Sequence, residues 1–222
     1  MDRNSLKQYQ ICFIIGSQHL YGDETLRMVG IHSQQIVDSW NRSGEIALDI
    51  VWKPTVKTQS EITAVLQAAN GDPACAGIIC WMHTFSPAKM WINGLKNLQK
   101  PMLHLNTQAN RDILWSTIDM DFMNLNQVAH GDREFGYICT RLGLRRKVVN
   151  GYYDTARVRA AVDVWGRTAT AWLDSQTMKV ARIGDNMLDV AVTEGNKVDA
   201  QIQFGYTVIC KILFSFTRSQ HS

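Results

Sequence analysis

The chain has 222 residues, 45% of them hydrophobic and 19% charged, a balance that supports a buried core and excludes extended disorder. The formal charge is only +3, from 23 basic and 20 acidic residues, which argues against a dedicated nucleic-acid binder with a clustered basic face. The five cysteines form no Cys-x-x-Cys, the N-terminal MDRNSLKQYQ lacks the apolar stretch of a signal peptide, and no apolar run approaches the ~20 residues of a membrane span. A reducing cytoplasm is the expected compartment, with no nucleic-acid or membrane partner.

The chain alternates short apolar runs with stretches of helical periodicity. Ile11 to Ile15 reads as a strand ending at Gly16. Leu26, Val29, Ser33, Ile36, Val37 and Trp40 then share a helical face, with Asp23 placed to cap the start and Gly44 beyond the end. Ile46 to Trp52 is a second strand. Thr58 and Glu61 form a capping box before the stripe Ile62, Val65, Leu66 and Ala69, which Asn70-Gly71 should close. Gly77 to Trp81 is a continuous apolar strand, and Ser86-Pro87 opens a helix with proline at its first position. Met102 to Leu105 is a fourth strand, followed by helical character from about Leu125 to Leu142. The basic run Arg141, Arg145, Arg146 and Lys147 reads as a solvated helix end. Val148 to Tyr152 is a fifth strand, and Val158, Ala161, Val162, Trp165, Ala169 and Trp172 line one face of the next helix. Met178 to Ile183 is a sixth strand.

Such alternation predicts an α/β fold: a doubly wound, Rossmann- or flavodoxin-like parallel sheet in an N-terminal domain over 1–177, then the start of a second α/β domain over 178–208. Cys12 and Cys80, inside apolar runs, should act as small hydrophobes.

The turn GSQHLYG (Gly16 to Gly22) follows a strand end, where open α/β sheets bind ligands, but it carries no dinucleotide or P-loop spacing. A structural turn is the preferred reading, although Gln18 and His19 are groups a sugar can use. Asp119 and Asp121 form a conceivable acid–base pair, with helix capping preferred. Gln127 and His130 lie one helical turn apart and can reach one ligand together. The six histidines show neither His-x-x-x-His nor His-Glu-x-x-His spacing, and no nucleophile elbow occurs.

Four polar strings in order carry a closer resemblance: IIGSQHLYG with ETLR (Ile14 to Arg27), HTFSPAKMWINGL (His83 to Leu95), IDMDFMNLNQ with AHGDREFG (Ile118 to Gly136), and GDNMLDVAVTEGNKVDAQIQFGY (Gly184 to Tyr206). On these the chain resembles the L-arabinose isomerase family from about Gln10 to Val208. The resemblance implies cytoplasmic enzymes of arabinose catabolism that interconvert L-arabinose and L-ribulose through an enediol, often with D-galactose and D-tagatose as well. It also implies a divalent cation, usually manganese, and hexamers with active sites at subunit contacts. Each subunit has two Rossmann-like domains followed by a C-terminal one. In the family two glutamates and two histidines far downstream hold the metal. No position here corresponds to them, so neither a catalytic residue nor bound Mn2+ is expected in this chain. The pocket-wall positions it retains by resemblance are Gln18, Leu20, Gln127 and His130, serving a neighbouring subunit's pocket, and Met187, serving its own.

Two departures stand out. Asp132 replaces a glycine usual in the string HGGREFG, a change expected to be tolerated at a surface. After Val208 the pattern breaks, and 209–222 reads as an aberrant tail from an altered frame or premature stop, with Ile209, Ile212, Leu213, Phe214 and Phe216 left without normal partners. The expected protein is a fragment inactive alone. The alternatives are an assembly or sugar-binding module joining full-length isomerase, and an independent flavodoxin-like nucleotide binder, which the missing phosphate fingerprints disfavour.

Overall fold

The computed structural model describes residues 6–113, 115–184 and 186–211, without the side chain of Lys211. The expected tail therefore lies outside the described residues from 212 onward. The chain divides into two compact units, one reaching Thr170 and one beginning at Ala171.

The first unit is built on a five-stranded, all-parallel sheet in the order β2-β1-β3-β4-β5. Its strands are β1 (Gln10–Ile15), β2 (Asp49–Trp52), β3 (Cys75–Trp81), β4 (Met102–Asn106) and β5 (Arg146–Asn150). The helices are α1 (Gly22–Ser43), α2 (Gln59–Gly71), α3 (Ile92–Lys96), α4 (Met120–Leu125), α5 (Val128–Arg141) and α6 (Ala156–Ser175). This is the doubly wound architecture the alternation predicts.

Burial explains the layering. Every residue of β3 is buried, as in a strand covered on both faces. Cys12 and Ile14 of β1 pack in one cluster with Ile62, Leu66, Leu95, Phe135 and Cys139 from α2, α3 and α5. On the opposite face Phe13 meets Trp40 of α1 edge-on at 6.0 Å, and α6 comes so close that a Cβ on Gly77 would lie 3.0 Å from Trp165. Each fully buried Ile or Leu here contributes roughly 1.5–3 kcal/mol. The cysteines Cys12, Cys75, Cys80 and Cys139 are buried and unpaired, in keeping with small hydrophobes.

Several local expectations change. Asp23 does not cap α1: Tyr21 holds that position, and Asp23 and Glu24 lie in the first turn, where carboxylates favour the positive end of the dipole. Gly44 closes the helix in the left-handed region at φ 65, as read. The capping box at α2 forms in altered register. Thr58 accepts from the Glu61 N–H at 3.2 Å, but the Glu61 carboxylate reaches the Lys57 N–H at 2.6 Å rather than that of Thr58. Gly71 is the last helical residue, and Asp72, extended at φ −84, ends α2. Pro87 flanks a 3-10 turn, Ala88–Trp91, that precedes α3.

The single helix expected from Leu125 splits into α4 and α5. Asn126 turns its side chain onto the Phe122 carbonyl at 3.0 Å, and the Gln127 N–H is taken by the His83 carbonyl at 3.0 Å instead of a helical one. β2 is shorter than read, and β5 begins at Arg146, so Arg146 and Lys147 belong to a strand and not to a helix end.

The second unit contains β6 (Lys179–Ile183), α7 (Lys197–Phe204) and β7 (Thr207–Lys211), with the two strands paired in parallel. Asn196 caps α7 by accepting from the Asp199 N–H at 2.9 Å.

Candidate functional site

The carboxyl ends of β1 and β3, where the strand order reverses, are filled by side chains of the chain itself. Ser17, His83, Thr84 and Ser86 are all fully buried there. Thr84 Oγ1 donates to Ser17 Oγ at 2.7 Å, and Trp91 Nε1 donates to Ser86 Oγ at 3.0 Å. His83 Nε2 lies 2.8 Å from His32 Nδ1 of α1, and the Trp81 ring stacks on His83 at 4.4 Å. Burial, with His32 alongside, pushes the His83 pKa down to about 3. Both imidazoles are therefore neutral at neutral pH, each with one ring N–H, and one of those protons lies in the bond between them.

With that crevice closed, the open site lies beside it, beyond β4. A cleft of about 460 Å³ is lined by Gln108, Asn110, Asn124, Asn126, Gln127 and His130, with Ile118, Met120 and Phe122 among its apolar members. Carboxamides both donate and accept, so such a wall suits vicinal hydroxyl groups. The apolar members suit the C–H face of a small polyol.

Helix α5 is fixed against the segment after β3. The Gln127 carbonyl accepts from the N–H groups of His130 and Gly131 at 3.1 and 2.8 Å. The His130 ring stacks on Phe85 at 4.3 Å, and Glu134 Oε2 accepts from the Ala88 N–H at 2.9 Å. Gly131 permits this approach, since a Cβ there would sit 3.0 Å from Met82 Cβ and 3.1 Å from the Thr84 carbonyl oxygen.

Of the positions singled out in the sequence, Gln127 and His130 line one cleft. Gln18 and Leu20 do not line it. They occupy the turn before α1, where the Gln18 carbonyl accepts from the Tyr21 N–H at 3.4 Å and Leu20 is 84% exposed. Tyr21 Oη accepts from the Phe85 N–H at 3.3 Å, which ties that turn to the residue stacked on His130. Met187 belongs to the second unit, where it lines a cleft of about 420 Å³ with Arg182, Asn196, Lys197 and Tyr206. Asp119 caps α4, accepting from the Phe122 N–H at 2.8 Å, and Asp121 is exposed, so the two do not act as a catalytic pair.

Asp132 corrects an expectation. It is not at a surface but 5% exposed, with Oδ1 2.7 Å from His104 Nε2 of β4. Burial raises its pKa, and His104 opposes the rise. The inward face of α5 (Val128, Gly131, Asp132, Phe135, Cys139) passes through this position, so helical periodicity was a usable signal. His32, His83, Phe85 and Gln108 were not singled out by sequence reasoning. His83 and Phe85 lay within the string HTFSPAKMWINGL, but no spacing marked His32 or Gln108.

Among the described residues no three His, Cys, Asp or Glu side chains converge as a metal-binding group. The manganese that the resemblance implies would need donors beyond those that converge among the described residues. Among them, too, no helix is long and apolar enough to cross a membrane.

The fold defines a doubly wound α/β domain with a cleft beyond β4, together with a smaller α/β unit. Residues 5–177 match the L-arabinose isomerase N-terminal domain, and residues 179–214 match the L-arabinose isomerase central domain. The chain belongs to the L-arabinose isomerase family. It is 56% identical over 204 residues to an L-arabinose isomerase of Geobacillus kaustophilus and to one of Shewanella baltica, covering 92% of this chain and 41% of each relative. With an L-arabinose isomerase of Anoxybacillus flavithermus the identity is 57% over 203 residues, 91% of this chain and 41% of the relative. The chain therefore spans about two-fifths of the length of the curated relatives it matches.

Proposed function

We propose that this chain supplies part of the sugar-binding wall of an L-arabinose isomerase, acting in the cytoplasm in arabinose catabolism. Gln127 and His130 hold the hydroxyl groups of a pentose, and Gln18, Leu20 and Met187 contribute further contacts once isomerase subunits assemble. The observation that carries this reading is the meeting of Gln127 and His130 on one carboxamide-lined cleft at the carboxyl edge of the sheet. The work of these residues is binding and orientation, the role that a carboxamide and an imidazole facing hydroxyl groups support. Completion of the cleft by a neighbouring isomerase subunit is part of the same reading. Met120 and Met123, which line the cleft and are 67% and 54% exposed, support it as apolar surface suited to a partner.

The test is a titration of the purified 222-residue chain with L-arabinose, alongside isomerase assays with manganese added. Saturable binding, weakened about tenfold in Gln127→Ala, is expected from the loss of one hydrogen-bonding partner. No ketose is expected. EDTA-sensitive ketose formation would overturn the assignment of binding alone, and absence of saturable binding would overturn the site. Co-elution with an intact L-arabinose isomerase in size-exclusion chromatography tests the partner, and separate elution rejects it.

A further inference from the structure

His83 stands between the two stretches that carry the expected sugar contacts. Its ring is held on two sides, by the Trp81 indole stacked at 4.4 Å and 15°, and by His32 Nδ1 at 2.8 Å from its Nε2. Its backbone carbonyl accepts the Gln127 N–H at 3.0 Å, the bond that breaks α4 from α5 and sets where α5 begins. The next residue, Thr84, bonds Ser17 immediately before Gln18, and Phe85 donates its N–H to Tyr21 immediately after Leu20. One three-residue segment therefore fixes both the first turn and the start of α5. Of its members only His83 is clamped through its ring to α1 and through its backbone to Gln127. A ring anchored to Trp81 and to α1 holds its own Cα in place, and with it the short backbone stretch whose carbonyl meets Gln127.

We propose that His83 is a positioning residue of the candidate site: fully buried and out of reach of ligand, it sets Gln127 and His130 through its carbonyl, with His32 as the ring's second support. This rests on the sugar-site reading above.

Two measurements test it in the 222-residue chain: hydrogen exchange at the Gln127 backbone amide by NMR, and affinity for L-arabinose. His32→Leu removes the ring's partner from α1 without touching β3 or the segment after it. His83→Leu removes the ring's polarity, and His83→Gln restores an amide within reach of His32. In both leucine variants Gln127 exchange should quicken and arabinose affinity fall, each about tenfold, the scale of one hydrogen bond. Exchange at Leu66, in α2, should hold steady, and His83→Gln should recover most of both losses. Unchanged Gln127 exchange in His32→Leu overturns the proposal, as does equal acceleration at Leu66, which would mean general loosening. If the parent chain binds no arabinose, the sugar reading fails by itself, and Gln127 exchange still decides the positioning role.

Discussion

Urea titrations of the parent chain and of His83→Gln, each at about pH 7 and about pH 5, measure what it costs to keep one imidazole neutral inside this fold. In the unfolded chain His83 titrates near its ordinary value of 6.5, whereas burial and the adjacent His32 hold it at about 3 in the folded state. The folded pKa lies below the unfolded one. Between the two values the unfolded chain binds more protons, so stability falls as pH falls through that window. Integrated over those two pH units, one such group costs about 2 kcal/mol. That is a sizeable share of the roughly 5–15 kcal/mol that holds a domain folded. His32, lowered by its own burial, adds a loss of the same sign. Urea midpoints followed by tryptophan fluorescence are a suitable assay, because Trp40, Trp81 and Trp91 are fully buried. The parent should lose about 2 kcal/mol more than His83→Gln on acidification. Parallel losses in the two proteins would refute the assignment of a neutral, buried His83.

Asp132 has the opposite sign, since its folded pKa is raised. Its contribution is present below the ordinary carboxylate range and is lost as pH rises toward the folded value, so Asp132→Asn should gain on the parent as pH rises above about 4. A pH-independent gap in their denaturation midpoints would contradict this. Thr58→Ala should destabilise the first unit by about 1 kcal/mol through loss of the α2 cap, read as a lower urea midpoint at unchanged slope. In Gly16→Ala the new Cβ would fall 2.6 Å from Trp91 Cζ2 and 2.7 Å from Ser86 Oγ, both fully buried. A loss of about 1–3 kcal/mol is expected, and a melting temperature equal to the parent's would show that the crevice yields.

The parts legible in the sequence are those where burial imposes a period. The run from Ile11 to Ile15 and the face of α6 reported themselves because nearly every inward position is apolar. Helix ends were less legible, because the competing partners came from elsewhere in the fold. The Asn126 side chain and the His83 carbonyl broke a helix that periodicity alone would continue, and Tyr21 displaced Asp23 as a cap. The candidate site was legible in part. Gln127 and His130 could be paired by helical spacing, but the partners of His83 lie 51 residues before it, at His32, and 44 residues after it, at Gln127. Only the sheet brings these groups together. Asp132 was misplaced because a charged residue suggested a surface, although its neighbours three and four positions away set an inward face.

β5 closes the described sheet on one side, and its outer backbone groups face no further strand among the described residues. Such a border is a template on which another copy can add its own strand. Lys147 stands exposed on it, while the Arg146 side chain lies back toward Thr140 of α5, so two copies approaching border to border bring their lysines together. That repulsion weakens over a screening length that shrinks from roughly 30 Å at 0.01 M salt to roughly 3 Å at 1 M. At this border the approach of a second copy meets like charge that dilute buffer leaves in force and concentrated salt screens.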